Sequence, residues 1–303
     1  MDIEAWARKA DSGGLLGKAI QAGSLVWPGL FWNAVMRQQQ GMEPSCTLSF
    51  DIDFPRDVEA LDGVLRLLEE AGVRASFACI GQWVRRFPAE HRALVAAGHE
   101  LVNHTETHPN LYHPAYDYAS GADLNRERFN AIAPSQRRRE IEACHATLVE
   151  VLGYTPKGFR TPHFGALHVD DVYPMLVDMG YAFSSSMKAA ASPGGGRPYL
   201  HASGIWEFPV SPCPCHPLGV FDSWHSLSKK GASHRGPGEL AELAARMCRR
   251  VSRDGGYFNF YLDPRDALDS GELKRLLEVL AANGLPPRPY GDLLPALADS
   301  SSS

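Results

Sequence analysis

No stretch of the 303 residues stays apolar for the ~20 residues that a membrane-spanning helix needs. The nearest approach, LLGKAIQAGSLVWPGLFWNAVM from Leu15 to Met36, is interrupted by Lys18, Gln21, Pro28 and Asn33. A positive excess is missing as well. The 30 Lys and Arg against 35 Asp and Glu leave a net charge of −5, which argues against an extended nucleic-acid surface. Arg137 to Arg139 form a dense basic run, read as the solvated face of a helix. The six cysteines, Cys46, Cys79, Cys144, Cys213, Cys215 and Cys248, show no framework spacing, so free thiols packed as small hydrophobes are expected. The segment CPCHP does not match the usual zinc-ligand pairs and reads as a proline-stiffened loop. A GxSxG elbow is absent, which disfavours a serine hydrolase. The opening MDIEAWARKADSGG lacks the basic segment, apolar core and small-residue cleavage site of a secretory leader, so the expected location is the cytoplasm.

What is present alternates. Short apolar runs read as buried strands: CTLSFDI from Cys46, RASFACI from Arg74, HELVNH from His99, KGFRTP from Lys157, YAFSSSM from Tyr181, IWEFPV from Ile205 and YFNFYLD from Tyr257. Between them, residues such as Val58, Leu61, Val64 and Leu68, or Leu273, Leu276, Leu277 and Leu280, recur at helical spacing. Strand, helix, strand order with apolar strands implies a parallel sheet covered by helices, and seven strands favour an α/β barrel over an open sheet. Residues 1–44 read as a helical extension, 45–297 as one barrel domain and 298–303 as a disordered tail. Within the extension, residues 15–36 either pack on the barrel or touch a membrane surface through Trp27, Phe31 and Trp32. Long loops over one rim are expected between Ser192 and Gly238.

Reacting groups in parallel α/β folds collect where strands end. LSFDIDFP puts Asp51 and Asp53 at such an end, in a strand too apolar to bury two charges without partners. In VNHTETHPNL, His104 and His108 stand four apart, but Pro109 opposes a helix through them, so a strand-end turn is expected. One oxygen from Asp53 and two imidazole nitrogens would leave an open fourth position, the catalytic pattern for zinc or a similar divalent ion. In GFRTPHFG, Arg160 follows another short strand and can pair with Asp51 through charge-assisted hydrogen bonds.

SFDID, NHTETHPNL, GFRTPHFG and WEFPVS resemble, in order, the first four motifs of the polysaccharide deacetylases, the carbohydrate esterases that share a homology domain with the nodulation chitooligosaccharide deacetylase. The resemblance covers about residues 45 to 295, and the spaced aspartate pair resembles the peptidoglycan deacetylase and cyclic-imidase branch. It implies a distorted barrel of seven or eight strands and a metal-dependent amide hydrolysis. Asp51 is then the general base, Asp53, His104 and His108 the metal ligands, and Arg160 the residue that orients Asp51. Pro162 and Phe164 would shape the groove, Trp206 to Val210, Pro209 included, would form its apolar wall, and an amide near Thr105 or Tyr112 would complete an oxyanion site. Zinc is the expected ion, with cobalt or nickel as alternatives.

One motif departs from the family. NFYLDPRD presents Asp263 where a histidine normally serves as the acid. Three readings stay open: Asp263 is an acid of raised pKa, His163 donates instead, or the protein keeps its metal but turns over weakly. The expected reaction is removal of an N-acyl, first of all N-acetyl, group from an amino-sugar glycoside or a lipid-linked sugar precursor. The alternatives are opening of a cyclic imide or ureide, and sugar binding without turnover.

Overall fold

The computed structural model describes residues 2–110, 125–163, 165, 167–228 and 236–301. Three helices lead: α1 (Ile3–Asp11), α2 (Gly14–Val26) and α3 (Pro28–Arg37). Asp2 accepts the Ala5 amide at the start of α1, and Pro28 opens α3 where α2 stops. The arm is part of the packing. Trp32 and Met36 enter the main core, while Phe31 and Val35 pack with Ile3, Ala7 and Ala10. Just past α3, Gln39 accepts the Tyr257 amide at 2.9 Å and donates to the Gly195 carbonyl at 2.5 Å.

The domain then alternates as β1 (Ser45–Ile52), α4 (Pro55–Glu70), β2 (Ser76–Cys79), α5 (Gly81–Arg86), α6 (Pro88–Ala96), β3 (Glu100–Asn103), α7 (Pro134–Leu152), β4 (Gly158–Phe159), α8 (Val172–Asp178), β5 (Phe183–Ser184), β6 (Tyr199–Leu200), β7 (Trp206–Glu207), α9 (Glu239–Asp254), β8 (Tyr257–Leu262), α10 (Pro264–Asp269), α11 (Glu272–Ala282) and α12 (Tyr290–Ser301). The strands form one sheet in the order β6-β7-β5-β4-β3-β2-β1-β8, parallel except for β6 on β7. The sheet curls into an eight-stranded half-barrel, the expected barrel class. Its open side is narrowed where Ser211 donates to the Asn259 carbonyl at 2.8 Å and Asp222 bridges Tyr261 in parallel.

Alternation along β1 and β8 explains both faces. Cys46, Leu48, Phe50 and Ile52, with Phe258, Phe260 and Leu262, pack outward against the helices in the largest apolar cluster. Each such fully buried Leu, Ile or Phe contributes roughly 1.5–3 kcal/mol relative to exposure. Thr47, Ser49 and Asp51, with Tyr257, Asn259 and Tyr261, take the opposite, inward face, as the Tyr257 hydroxyl bonded to Thr47 Oγ1 at 2.9 Å illustrates. The strand interiors that read as uniformly apolar are thus polar on one side.

Three expectations are corrected. Arg137 is buried, not solvated: it pairs with Asp171 and donates to the Phe129 and Ile132 carbonyls, satisfying a chain reversal that would otherwise leave them orphaned. The tail expected after Ala298 continues α12 to Ser301. Besides the expected strand at β7, the Ser192–Gly238 region adds β6 to the sheet.

Asp57 starts α4, its Oδ2 accepting the Phe54 amide at 2.9 Å and its Oδ1 the Arg265 amide at 3.3 Å. Burial, with Asp53 nearby, pushes its carboxyl up to about 8. The folded state therefore holds a proton that the unfolded chain releases, and stability present at acid pH is lost as pH rises from the ordinary carboxylate range to about 8. Asp57→Asn is expected to melt increasingly above the parent protein over that window. A pH-independent difference in Tm would refute the assignment.

Candidate metal and catalytic site

The carboxyl ends of β1, β3 and β4 bring five of the expected residues together. Asp51 pairs in register with Ala78, and Ala78 with Val102, so Asp53 and His104 leave neighbouring parts of one rim. Between His104 and His108 the chain is irregular, as Pro109 requires. The turn is held internally: the Thr105 amide donates to Asn103 Oδ1 at 2.9 Å, the His108 amide to Thr105 Oγ1 at 3.1 Å, and Thr107 is gripped through its amide and hydroxyl by Glu140 at 2.9 and 2.8 Å. Gly81 lies close beside it, where a Cβ would meet Glu106 Oε2 at 1.9 Å and the Cys144 Cα at 3.3 Å. Among the described residues, the non-glycine positions with positive φ are Thr105 (69°), His108 (53°) and His163 (49°), all in the two motif loops.

Asp53 Oδ1 lies 3.4 Å from His104 Nε2 and 3.3 Å from His108 Nε2, and the two nitrogens are 3.1 Å apart. For ligand bonds near 2.1 Å, a tetrahedral centre has donor separations of about 3.4 Å, so the triangle has the size of a divalent-ion site. His104 Nδ1–H donates to the Arg160 carbonyl at 2.8 Å, which turns Nε2 inward. Burial opposes a charge on His104, but Asp53 and Asp51 raise its pKa above the ordinary imidazole value. Burial lowers His108 to about 3, leaving it neutral. Burial opposes ionisation of Asp53, but His108 and His104 outweigh it and hold the carboxyl at about 2. Asp53 Oδ1 is buried with no hydrogen-bond partner. A buried anionic oxygen facing two imidazole nitrogens away from water is a setting that a cation would relieve.

Asp51 stands behind this triangle. Arg160 Nη1 reaches its Oδ1 at 2.5 Å, with both side chains buried. The remaining guanidinium donors are used: Nε to the Ser185 carbonyl at 3.2 Å, and Nη2 to Ser49 Oγ at 3.0 Å, Ser185 Oγ at 3.2 Å and the Tyr290 hydroxyl at 2.7 Å. Burial raises Asp51 above the ordinary carboxylate range, with Arg160 and His104 pulling against it, a setting suited to a base.

Asp263 follows β8 one residue beyond the Phe50–Leu262 pair, which places it beside Asp51 on the same rim. Ser223 Oγ donates to its Oδ2 at 2.8 Å and accepts its amide at 2.6 Å. Burial, reinforced by Asp266, Asp57 and Asp53, raises its carboxyl well above the usual range. His163 lies on the adjoining loop, edge-on to Trp224 with centroids 5.9 Å apart, and is close enough to Asp53 and His108 to affect both electrostatically.

A model of the polysaccharide deacetylases matches residues 38–183, the stretch that carries Asp51, Asp53, His104, His108 and Arg160. Over that stretch the chain is similar to the polysaccharide deacetylases. It is 30% identical over 116 residues to a peptidoglycan-N-acetylglucosamine deacetylase of Bacillus cereus, a match covering 38% of this chain and 35% of that protein. It is 46% identical over 68 residues to a chitooligosaccharide deacetylase of Sinorhizobium fredii, covering 22% and 31%. The match thus spans about a third of each curated relative's length. A Mycobacterium smegmatis structure assigned to the polysaccharide deacetylases superposes with a TM-score of 0.61 at 19% identity, over 80% of this chain and 85% of that one, a likeness of fold.

Other expected residues fall elsewhere. The Thr105 amide is committed to Asn103 and its side chain is buried in the turn, so it cannot serve as an oxyanion donor. Trp206 packs against the apolar cluster of Phe183, Phe208, Tyr257 and Tyr290 instead of lining a substrate wall. Pro209 is buried, and its carbonyl accepts from Asn259 at 3.1 Å where the sheet narrows. Pro162 is buried in the Arg160 loop. Tyr112 and Phe164 lie outside the described residues.

The sequence reading missed Ser49, Ser185, Ser223, Asn259 and Tyr290. Ser49 and Asn259 were findable, since each shares its strand's alternating face with an aspartate. Tyr290 had no local signal. It reaches Arg160 because Glu100 accepts the Tyr290 and Gly291 amides at 3.0 and 2.9 Å, clamping the start of α12. Tyr290→Phe is expected to lower kcat about tenfold with KM nearly unchanged, through the lost charge-assisted bond. An unchanged kcat would remove Tyr290 from the support of Arg160.

Proposed function

We propose that the protein hydrolyses the N-acetyl group of an amino sugar in a glycoside, with a divalent ion, zinc first, held by Asp53, His104 and His108. The observation that carries the reading is the buried, unpartnered Asp53 Oδ1 facing two imidazole Nε2 atoms beside an arginine-bound carboxylate. Such an ion supplies polarisation of the acyl oxygen and acidification of water. The protein's own groups account for the proton movements. Asp51 takes a proton from the attacking water as the new C–O bond forms. Arg160 keeps the Asp51 carboxylate in place and is itself held through all three guanidinium nitrogens. Asp263, whose carboxyl is held well above the ordinary range by burial and by Asp266, Asp57 and Asp53, gives its proton to the nitrogen as the C–N bond breaks, releasing acetate and the free amine.

The test is acetate release from chitooligosaccharides by protein loaded in turn with zinc, cobalt and nickel, alongside ring opening of a cyclic imide. Acetate release with at least one ion is expected. Ring opening alone would move the assignment to a cyclic amide hydrolase, and stoichiometric metal binding with neither product would leave a sugar-binding protein.

A further inference from the structure

Seven of the exposed large apolar side chains crowd into the amino-terminal arm, from Trp6 to Leu30. On α2 the usual polarity is inverted. Its packed face is Gly17, Ile20 and Ser24, small enough that a Cβ on Gly17 would sit 2.7 Å from the Lys9 carbonyl of α1. Its outward face carries Leu15, 89% exposed, and Val26, 65% exposed, and the corner into α3 adds Trp27 at 63% and Leu30 at 61%. A helix normally turns its apolar stripe to the core and its polar stripe to water. Here the stripe facing away from the protein is the apolar one. The charged residues between positions 12 and 42 are Lys18 and Arg37, both cationic, in a chain whose net charge is −5.

We propose that this face, Leu15, Leu16, Leu25, Val26, Trp27 and Leu30, docks on an anionic lipid bilayer as an interfacial anchor. An apolar stripe with cations beside it and a tryptophan at a helix corner matches the layered chemistry of a headgroup boundary. A second copy of the chain would bring like charges together across the contact, whereas anionic headgroups meet them with opposite sign. The patch is also coupled to the site. Lys188 Nζ binds Asp11 at the end of α1 at 2.5 Å, and its stem lies where a Cβ of Gly165, in the Arg160 loop, would fall 2.8 Å away. Docking therefore sets the site's rim near the lipid surface, which suits an amino sugar carried by a lipid; that last clause rests on the proposed deacetylation, while the docking itself does not.

The experiment is sedimentation of the full chain with vesicles of mixed phosphatidylcholine and phosphatidylglycerol, and with phosphatidylcholine alone. The protein is expected to pellet with the mixed vesicles and less with the neutral ones. The double substitution Val26→Glu, Leu30→Glu is expected to lower partitioning roughly tenfold or more, since it puts two charges where apolar groups inserted. Val149→Glu and Val177→Glu, exposed apolar positions on α7 and α8, are expected to leave it unchanged. Circular dichroism melts check that each variant folds. The idea is overturned if the parent protein stays in the supernatant, if the arm variant pellets like the parent, or if ultracentrifugation shows instead a dimer that the arm variant dissolves. Vesicle binding is read without turnover, so its failure leaves the hydrolytic assignment standing, and the reverse.

Discussion

Asp53→Asn is expected to abolish stoichiometric zinc binding and to cut kcat/KM for acetate release by about 10³ or more, because the substitution keeps the side chain's size but removes the one anionic donor. Turnover is not the sole readout. In the protein without metal, Asp53 Oδ1 is buried without a hydrogen bond, against two imidazoles. Adding zinc should raise the Tm of the parent protein by mass action and leave that of the variant in place. His108→Ala should behave in the same way. A variant that keeps both the zinc-dependent rise and the turnover would show that this triangle does not hold the ion.

Asp263→Asn is expected to lower kcat by about 10²–10⁴, the usual contribution of a positioned acid. The amide preserves an acceptor for Ser223 Oγ but has no acidic proton. Asp263→His should recover part of the loss, since imidazolium can fill the same role. The two active forms should differ in pH dependence. The acid must be protonated, so activity falls as pH rises through its pKa; burial and the neighbouring carboxylates hold Asp263 well above the usual range. His163→Gln should cost little. If instead Asp263→Asn is fully active and His163→Gln is not, His163 is the donor; if neither matters, the proton comes from elsewhere.

The legible part of the site is the part written in local chemistry. Asp51 and Asp53 declared themselves because two charges ended an apolar strand, and Pro109 excluded a helix for the histidines, as the irregular 104–108 turn bears out. Arg160 could be placed at a strand end and given Asp51 as a partner, and they meet at 2.5 Å. The strand runs and the helical faces of α4 and α11 were also readable, because burial imposes periods of 2 and 3.6 on any sequence. Short elements were not. α5, α8 and α10 span six or seven residues, too few for a period to stand out. The membrane question needed exposure: the periodicity of residues 15–36 is compatible with either face outward, and only packing of Gly17, Ile20 and Ser24 on the protein chose one.

The sequence alone therefore determined the parallel α/β class, the strand-end location of the candidate site and the residues of a candidate donor set and a charged pair, because each follows from spacing, proline geometry and the cost of burying charge. Only the tertiary structure decided that the donors converge to 3.1–3.4 Å, that Tyr290 and Asn259 arrive from the distant end of the chain to hold Arg160, and that Asp263 is surrounded by carboxylates. Those facts depend on distances between segments as much as 241 residues apart, such as Ser49 and Tyr290, which no local pattern encodes.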